Sequence, residues 1–377
     1  MRKKKIKKIA LFTSSRAELG LVKNLYKELK KNKNLQLYLF VGGSHFLKKY
    51  GGSISKIKDE NIKINGYFKY ANNKDSENGI SKMISKSTYL LSNIFEKFNF
   101  DATFLFGDRF DIIPIITNSI IYRKIIFHIS GGETTLGAID NLIRNLASTA
   151  ANYHFTSAEE YSKKLVKLGE NKNRIFNVGS LSIDGIKKVK KVSRFEICKK
   201  YNLKEELPII AFTYHPYKED VRLSIKAKLD KIFSVLNNFK LNIIITAPNI
   251  EAGSDFVFKK IKHVCKNKKH WVFKKTIGFE NYQKLIMNSD LVFGNSSSGI
   301  IEAPYYKIPT INIGKRQEGR LRHKSVIDTD YKNEEITKAI KMGLSKKFKR
   351  KIKNMKYKFG KGNANEKISK IIAKIVY

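Results

Sequence analysis

Short runs of β-branched and aromatic residues alternate along the whole chain with longer stretches whose apolar positions recur every three to four residues. A continuously apolar run bounded by polar residues marks a strand covered on both faces, so this alternation predicts parallel sheets joined by crossover helices. In the first half, strands are expected at residues 8–14, 35–41, 102–107, 125–129, 153–156 and 175–178. Between them, residues 19–31 place Leu21, Leu25 and Leu29 at helical spacing, and residues 80–98 and 158–168 behave alike, with lysines filling the outer faces.

The alternation breaks at the lysine-rich residues 186–200 and then restarts. Second-half strands are expected at 209–213, 242–246, 271–273, 291–293 and 310–313, with helices at 218–236 and 279–287. No repeat is visible, so the halves share architecture and not sequence. The chain therefore divides into a first domain at 1–185 and a second at 186–360. A terminal helix at 361–377 is placed to cross back to the first. The fold class is α/β, two doubly wound domains facing a central cleft, and ligands of such sheets bind beyond the carboxyl ends of the strands.

Composition changes this picture in three places. The net charge of +42 suggests a nucleic-acid or anionic-membrane partner, but the lysines are spread over every helix-like segment, which favours a solvated surface. A nucleic-acid binder would show steep salt dependence on random duplex, and the expectation here is a flat response and no nucleic-acid partner. An anionic substrate remains favoured by long-range attraction. Cys198 and Cys265 have no disulfide, redox or metal spacing, so no metal is expected. The basic residues 2–8 precede only a short apolar stretch, 9–12, so neither a signal peptide nor a membrane partner is expected and the compartment is read as cytoplasmic.

The chemistry-bearing residues fall just after the expected strands. Ser14-Ser15-Arg16-Ala17-Glu18 opens a helix, where amides and Arg16 suit an anion, or where the turn is an ordinary helix start. His45, in Gly42-Gly43-Ser44-His45, is either a ligand contact or a turn cap. Asp108 and Arg109 end an apolar strand, and Asp108 suits acid–base work or capping of the next helix. After the strand at 125–129 come Ser130, Gly131, Gly132 and Glu133, then Asp140 and Arg144 on a helix-like stretch, and carboxylates so spaced can divide acid and base roles. In the second half, His215 stands at a strand mouth before Pro216. Gly294-Asn295-Ser296-Ser297-Ser298-Gly299 leads into a helix bearing Glu302, a phosphate cradle followed by a residue able to accept both ribose hydroxyls. No Gly-Lys-Ser/Thr follows, which argues against triphosphate hydrolysis. Arg316 and Arg320, in the loop at 314–320, are diphosphate candidates or part of one more basic loop.

In this order the motifs resemble the UDP-N-acetylglucosamine 2-epimerase family, and specifically its hydrolysing branch in sialic-acid and other nonulosonic-acid synthesis for bacterial surface glycans. Residues 14–18 are similar to the family's Gly-Thr-Arg-Ala-Asp, residues 107–109 to its His-Gly-Asp-Arg, residues 294–304 to Gly-Asn-Ser-Ser-Ala-Gly-Ile-x-Glu-Ala-Pro, and residues 314–320 to Gly-x-Arg-Gln-x-x-Arg. The resemblance covers nearly the whole chain. It implies a glycosyltransferase-B type fold of two Rossmann-like domains, a homodimer, a UDP-sugar substrate, and neither metal nor redox cofactor. By the same resemblance Ser296, Ser297 and Glu302 hold diphosphate and ribose, with Ser298 and Gly299 in the same turn, and Arg16 reaches the phosphates. The implied chemistry removes the C2 proton of the sugar, eliminates UDP to a 2-acetamidoglucal, and adds water to give the C2-inverted free sugar. Asp108, Asp140 and His215 match positions of functional acids, bases or leaving-group contacts.

Two departures stand out. The wider family carries Glu where this chain has Ser130, although the hydrolysing branch often has His there, and an Arg-His pair where this chain has Arg144-Asn145. A serine is no carboxylate base near neutral pH, so Glu133 takes that role, or the substrate or mechanism differs, or activity is impaired. The neighbouring readings are the same reaction on a UDP- or GDP-linked 2,4-diacetamido-trideoxyhexose, as in the legionaminic acid route, and a glycosyltransferase of the same fold.

Overall fold

The computed structural model describes residues 7–48, 52, 54–58, 62–72, 76–136, 139–216, 223–248, 251–266 and 268–375, and of residues 16, 17, 56 and 58 the backbone alone. The chain divides into two compact units, one of residues 1–133, 139–187 and 359–377, the other of 134–138 and 188–358.

The first unit holds seven parallel strands: β1 (Lys7–Thr13), β2 (Leu35–Gly42), β3 (Gly66–Phe68), β4 (Ala102–Phe106), β5 (Ile125–Ile129), β6 (Tyr153–Thr156) and β7 (Ile175–Asn177). Their order is β3-β2-β1-β4-β5-β6-β7. Ile9 pairs with Leu37 on one side and Ala102 on the other, which puts β1 in the middle of the sheet. This explains its unbroken apolar run, since a central parallel strand is covered on both faces and Ile9, Ala10 and Leu11 are fully buried. Helix Arg16–Leu29 lays Leu19, Val22, Leu25 and Leu29 on the sheet. Against the same cluster pack Ile368 and Ile372 of the last helix, Ala364–Lys374. That helix is anchored at its head by buried Asp184, which accepts from the amides of Ala364 at 2.9 Å and Asn365 at 2.7 Å.

The second unit holds β8 (Ile209–Thr213), β9 (Asn242–Thr246), β10 (Trp271–Lys274), β11 (Leu291–Gly294), β12 (Thr310–Ile313) and β13 (Val326–Thr329), all parallel, in the order β10-β9-β8-β11-β12-β13. Residues 134–136 join this unit, with the Leu136 amide donating to the Glu318 carbonyl at 2.9 Å. In both sheets the order reverses beside the first strand of the unit, between β1 and β4 and between β8 and β11. A crevice at the strands' carboxyl ends is the outcome of such a reversal.

Differences from expectation have local causes. Strands β3 and β13 are short sheet edges, Gly-Tyr-Phe and Val-Ile-Asp-Thr, and offer no apolar run to read. The helix expected from residue 218 begins at Ile225, because Ser224 caps it by accepting from the Ala227 amide at 3.1 Å; residues 217–222 lie outside the described part. The lysine-rich interruption contains a helix, Arg194–Tyr201, started by Ser193 and Glu196 as a capping box. Among the described residues no helix is long and apolar enough to cross a membrane.

Candidate active site

At the carboxyl end of β1 the chain's own carboxylate occupies the place expected for an anion. Glu18 Oε1 accepts from the amide of Ser14 and, at 3.0 Å, from that of Ser15. Arg16 opens the helix, and its side chain lies outside the described residues. Burial pushes the Glu18 carboxyl up to about 7, with Asp111 adding to the rise and the two amides and Arg109 opposing it. Asp111, itself buried, accepts from Tyr70 Oη and from Arg109 Nε at 2.9 Å. Arg109 is therefore tied to Asp111, and its guanidinium also lies over the Phe110 ring. His45 is fully buried with Nε2 2.8 Å from Thr13 Oγ1, and burial lowers it to about 4. The turn that carries it depends on Gly43, whose φ is +56° and whose added Cβ would stand 2.2 Å from the Ser14 carbonyl. Tyr70 and Asp111 were not singled out by the sequence, because their pairing joins residues from two separate segments.

Across the reversal, β4 ends at Phe106, and Gly107 leads on to Asp108. Asp108 Oδ2 pairs with Arg144 Nη2, and Arg144, with no exposed surface, also donates from Nη1 to the Glu133 carbonyl at 3.0 Å. The guanidinium thus ties the strand end to the glycine loop. His128 supports the same junction: Nε2 lies 3.1 Å from the Gly107 carbonyl and Nδ1 3.3 Å from Ser148 Oγ, and burial lowers it to about 4. Ser130 is held at φ +67° while its amide bonds the Phe155 carbonyl, a conformation that costs a non-glycine residue roughly 1–2 kcal/mol. Glu133, expected to do acid or base work, is buried, its Oε1 accepting from Ser157 Oγ at 2.7 Å. A carboxylate turned inward this way anchors the loop. Asp140 starts helix Asp140–Ala150, half-buried and on the same face as Arg144 one turn later.

In the second unit Asn295, fully buried, stitches the reversal together. Its side chain accepts from the His215 amide at 2.7 Å and donates to the His215 carbonyl at 2.9 Å, while its own carbonyl accepts from Arg316 and Gln317. A residue not anticipated, Glu251, lies 3.1 Å from His215 Nδ1 and 3.2 Å from Arg316 Nη2, so one carboxylate orients both. Ser296 and Ser297 are half-buried at the head of helix Ser298–Tyr305, where amides and the helix dipole suit an anion. Ser298 Oγ is bonded to Tyr282 Oη at 2.7 Å and to Ser296 Oγ at 3.1 Å. Gly299 lets the helix close on β12, since an added Cβ would meet Thr310 Cγ2 at 2.7 Å. Glu302 follows on the helix, bonded to Gln283. Arg320 is half-buried in the turn after β12. No group of three or more potential metal ligands gathers among the described residues.

A family profile described as UDP-N-acetylglucosamine 2-epimerase matches residues 27–373. Polysialic acid biosynthesis protein P7 of Escherichia coli is 32% identical over 363 residues, 95% of this chain and 92% of that protein. The GDP/UDP-N,N′-diacetylbacillosamine 2-epimerase (hydrolyzing) of Campylobacter jejuni is 31% identical over 347 residues, 91% of this chain and 89% of its own. Among solved structures, UDP-GlcNAc 2-epimerase from Neisseria meningitidis bound to UDP-GlcNAc has a TM-score of 0.81 at 16% identity, covering 98% of this chain and 100% of that one. That likeness is one of fold, two doubly wound α/β units of the glycosyltransferase-B type.

Proposed function

Because the chain belongs to the UDP-N-acetylglucosamine 2-epimerase family, we propose that it is a hydrolysing nucleotide-sugar 2-epimerase that takes UDP-N-acetylglucosamine and water to N-acetylmannosamine and UDP, in the cytoplasm where sugar nucleotides are made, for bacterial surface glycans containing sialic or related nonulosonic acids. A base removes the C2 proton, the C1–O bond to UDP breaks to leave a 2-acetamidoglucal, and water adds at C1 as a proton returns to C2 from the opposite face. The observation that carries this reading is the Asp108 carboxylate, delivered at a strand-order reversal and fixed by a guanidinium with no exposed surface. Asp108 is the C2 base, and Asp140 the second carboxylate. Glu133 takes part through the loop it anchors. The second unit holds the nucleotide: Ser296 and Ser297 with Arg316 and Arg320 on the diphosphate, Glu302 on the ribose, and His215, oriented by Glu251, on the departing phosphate oxygen.

Incubation with UDP-N-acetylglucosamine in deuterium oxide tests the reaction. Free N-acetylmannosamine carrying deuterium at C2 is expected by NMR, because the proton returned to C2 comes from solvent. A released sugar with protium at C2, or transfer to an acceptor without release, overturns the reading. Ser130 and the Campylobacter relative favour a second substrate, a UDP- or GDP-linked 2,4-diacetamido-trideoxyhexose. The same assay run on both sugar nucleotides ranks them by kcat/KM.

A second copy of the chain covers an apolar face of the first unit. Ile139, Leu142 and Leu146, at helical spacing, are exposed on or just before helix Asp140–Ala150, and the neighbouring helix Ile113–Ile121 exposes Ile120 and Ile121. Large exposed apolar side chains gathered on two touching helices are the mark of a surface that another protein covers. Light scattering is expected to report a dimer for the natural chain and a monomer for Leu142→Asp combined with Leu146→Asp. A monomeric natural chain at tens of micromolar would remove the dimer from this reading.

A further inference from the structure

Helix Phe279–Met287 presents two consecutive side chains to the serine-rich turn and the helix that follows it. Tyr282 is bonded to Ser298, and Gln283 Nε2 donates to Glu302 Oε2 at 2.6 Å. Gln283 has no exposed surface, and its Oε1 is buried without a partner. The Glu302 carboxylate fixes how the amide is turned, since the reverse orientation would set two acceptors 2.6 Å apart. The one N–H of the amide that finds a partner is spent on Glu302, so the demand that sets the arrangement is that of the carboxylate.

The surroundings of Glu302 point to that demand. In a chain with 75 Lys and Arg against 33 Asp and Glu, no ion pair is made by Glu302 among the described residues. Its carboxyl is raised above the ordinary value by burial, opposed by the Gln283 hydrogen bond. A cation at this position would engage both oxygens or neutralise the acceptor. A neutral amide holds one oxygen by a single N–H and leaves the other to accept from a ligand hydroxyl. We propose that Gln283 is a positioning residue that clamps Glu302 through Oε2 so that the carboxylate receives the vicinal diol of a ribose. The proposal rests on the reading above that Glu302 faces the nucleotide.

Calorimetric titration of the full chain with UDP and with 2′-deoxy-UDP tests it. The natural chain is expected to favour UDP by about tenfold or more, because a group built to accept from a hydroxyl rejects the analogue lacking it. In Gln283→Met, which keeps the length without the donor, the gap is expected to fall within about threefold through weaker UDP binding, with 2′-deoxy-UDP affinity unchanged. An unchanged gap, or equal weakening of both ligands, overturns the proposal, because a merely structural role acts on both alike. Absence of any gap in the natural chain is a different failure, that of the ribose reading itself. Should Gln283→Met not fold, Gln283→Leu also lacks the donor without adding a charge beside Glu302, and carries the same expectation.

Discussion

Asp108→Asn is expected to slow sugar release by at least about a thousandfold while UDP affinity stays within about twofold, because asparagine keeps the shape of the side chain and cannot take a proton. The two readouts separate because the proposed nucleotide contacts of the second unit lie on other strands. The substitution also removes the anionic partner of a fully buried guanidinium. Breaking one side of a buried pair costs up to roughly 3–5 kcal/mol, and the cost here lies toward the lower end because Asp108 itself is 19% exposed. A lower melting temperature should therefore accompany the loss of turnover. Arg144→Met should show the converse balance, a larger loss of stability with Asp108 still present but no longer held against the loop. Turnover in Asp108→Asn above about a tenth of the natural rate would remove Asp108 from the chemistry, and loss of UDP binding in parallel would point to unfolding instead.

Acidification from pH 7 to pH 4 is expected to destabilise the first unit by roughly 3 kcal/mol, the net of opposing groups. His45 and His128 are buried neutral, each lowered from 6.5 to about 4. Above pH 6.5 they are neutral in both folded and unfolded chains and contribute nothing to the pH dependence. Between pH 6.5 and about 4 the unfolded chain takes up protons that the folded chain refuses, so stability falls as pH falls, and below about 4 the loss is complete. Glu18 works the other way. Its folded value of about 7 lies above the ordinary 4.5, so its contribution is full below pH 4.5 and is lost as pH rises through 7. On acidification it returns stability over much of the same window, and the two histidines, joined by His154, which burial also lowers, outweigh the one carboxyl. Urea unfolding at pH 7.5, 6, 5 and 4.5 measures the slope. A His128→Gln variant should show a shallower slope, and a flat profile in the natural chain would contradict the burial argument for both histidines.

The two doubly wound sheets and the serine-rich turn ahead of Glu302 were legible in the residue order because their causes are local. Central parallel strands such as β1 and β8 are covered on both faces and must be written as unbroken runs of Ile, Leu and Phe. The turn at 294–299 announces itself because strand, glycine and hydroxyls, and helix start follow one another within a few residues. The change of pattern near residue 186 is written in the residue order for the same reason, a break in local alternation. Strands β3 and β13 escaped because an edge strand of three or four residues needs no apolar run.

The partners of the site residues were decided by tertiary structure. Tyr70 meets Asp111, Arg144 meets Asp108, Glu251 bridges His215 and Arg316, and Gln283 holds Glu302, each pair drawn from separate elements. Strand order creates these meetings: reversal beside β1 and β8 sets loops distant in sequence at one sheet edge, and there burial selects which polar groups must pair. Glu18 and Glu133 show the difference most plainly. Their residue types marked them as part of an anion-binding turn and an acid–base loop, and only the fold turned one carboxylate onto the Ser14 and Ser15 amides ahead of its helix and the other onto Ser157. Side-chain chemistry and strand periodicity are written residue by residue, whereas a side chain's direction and proton affinity depend on what the fold packs around it.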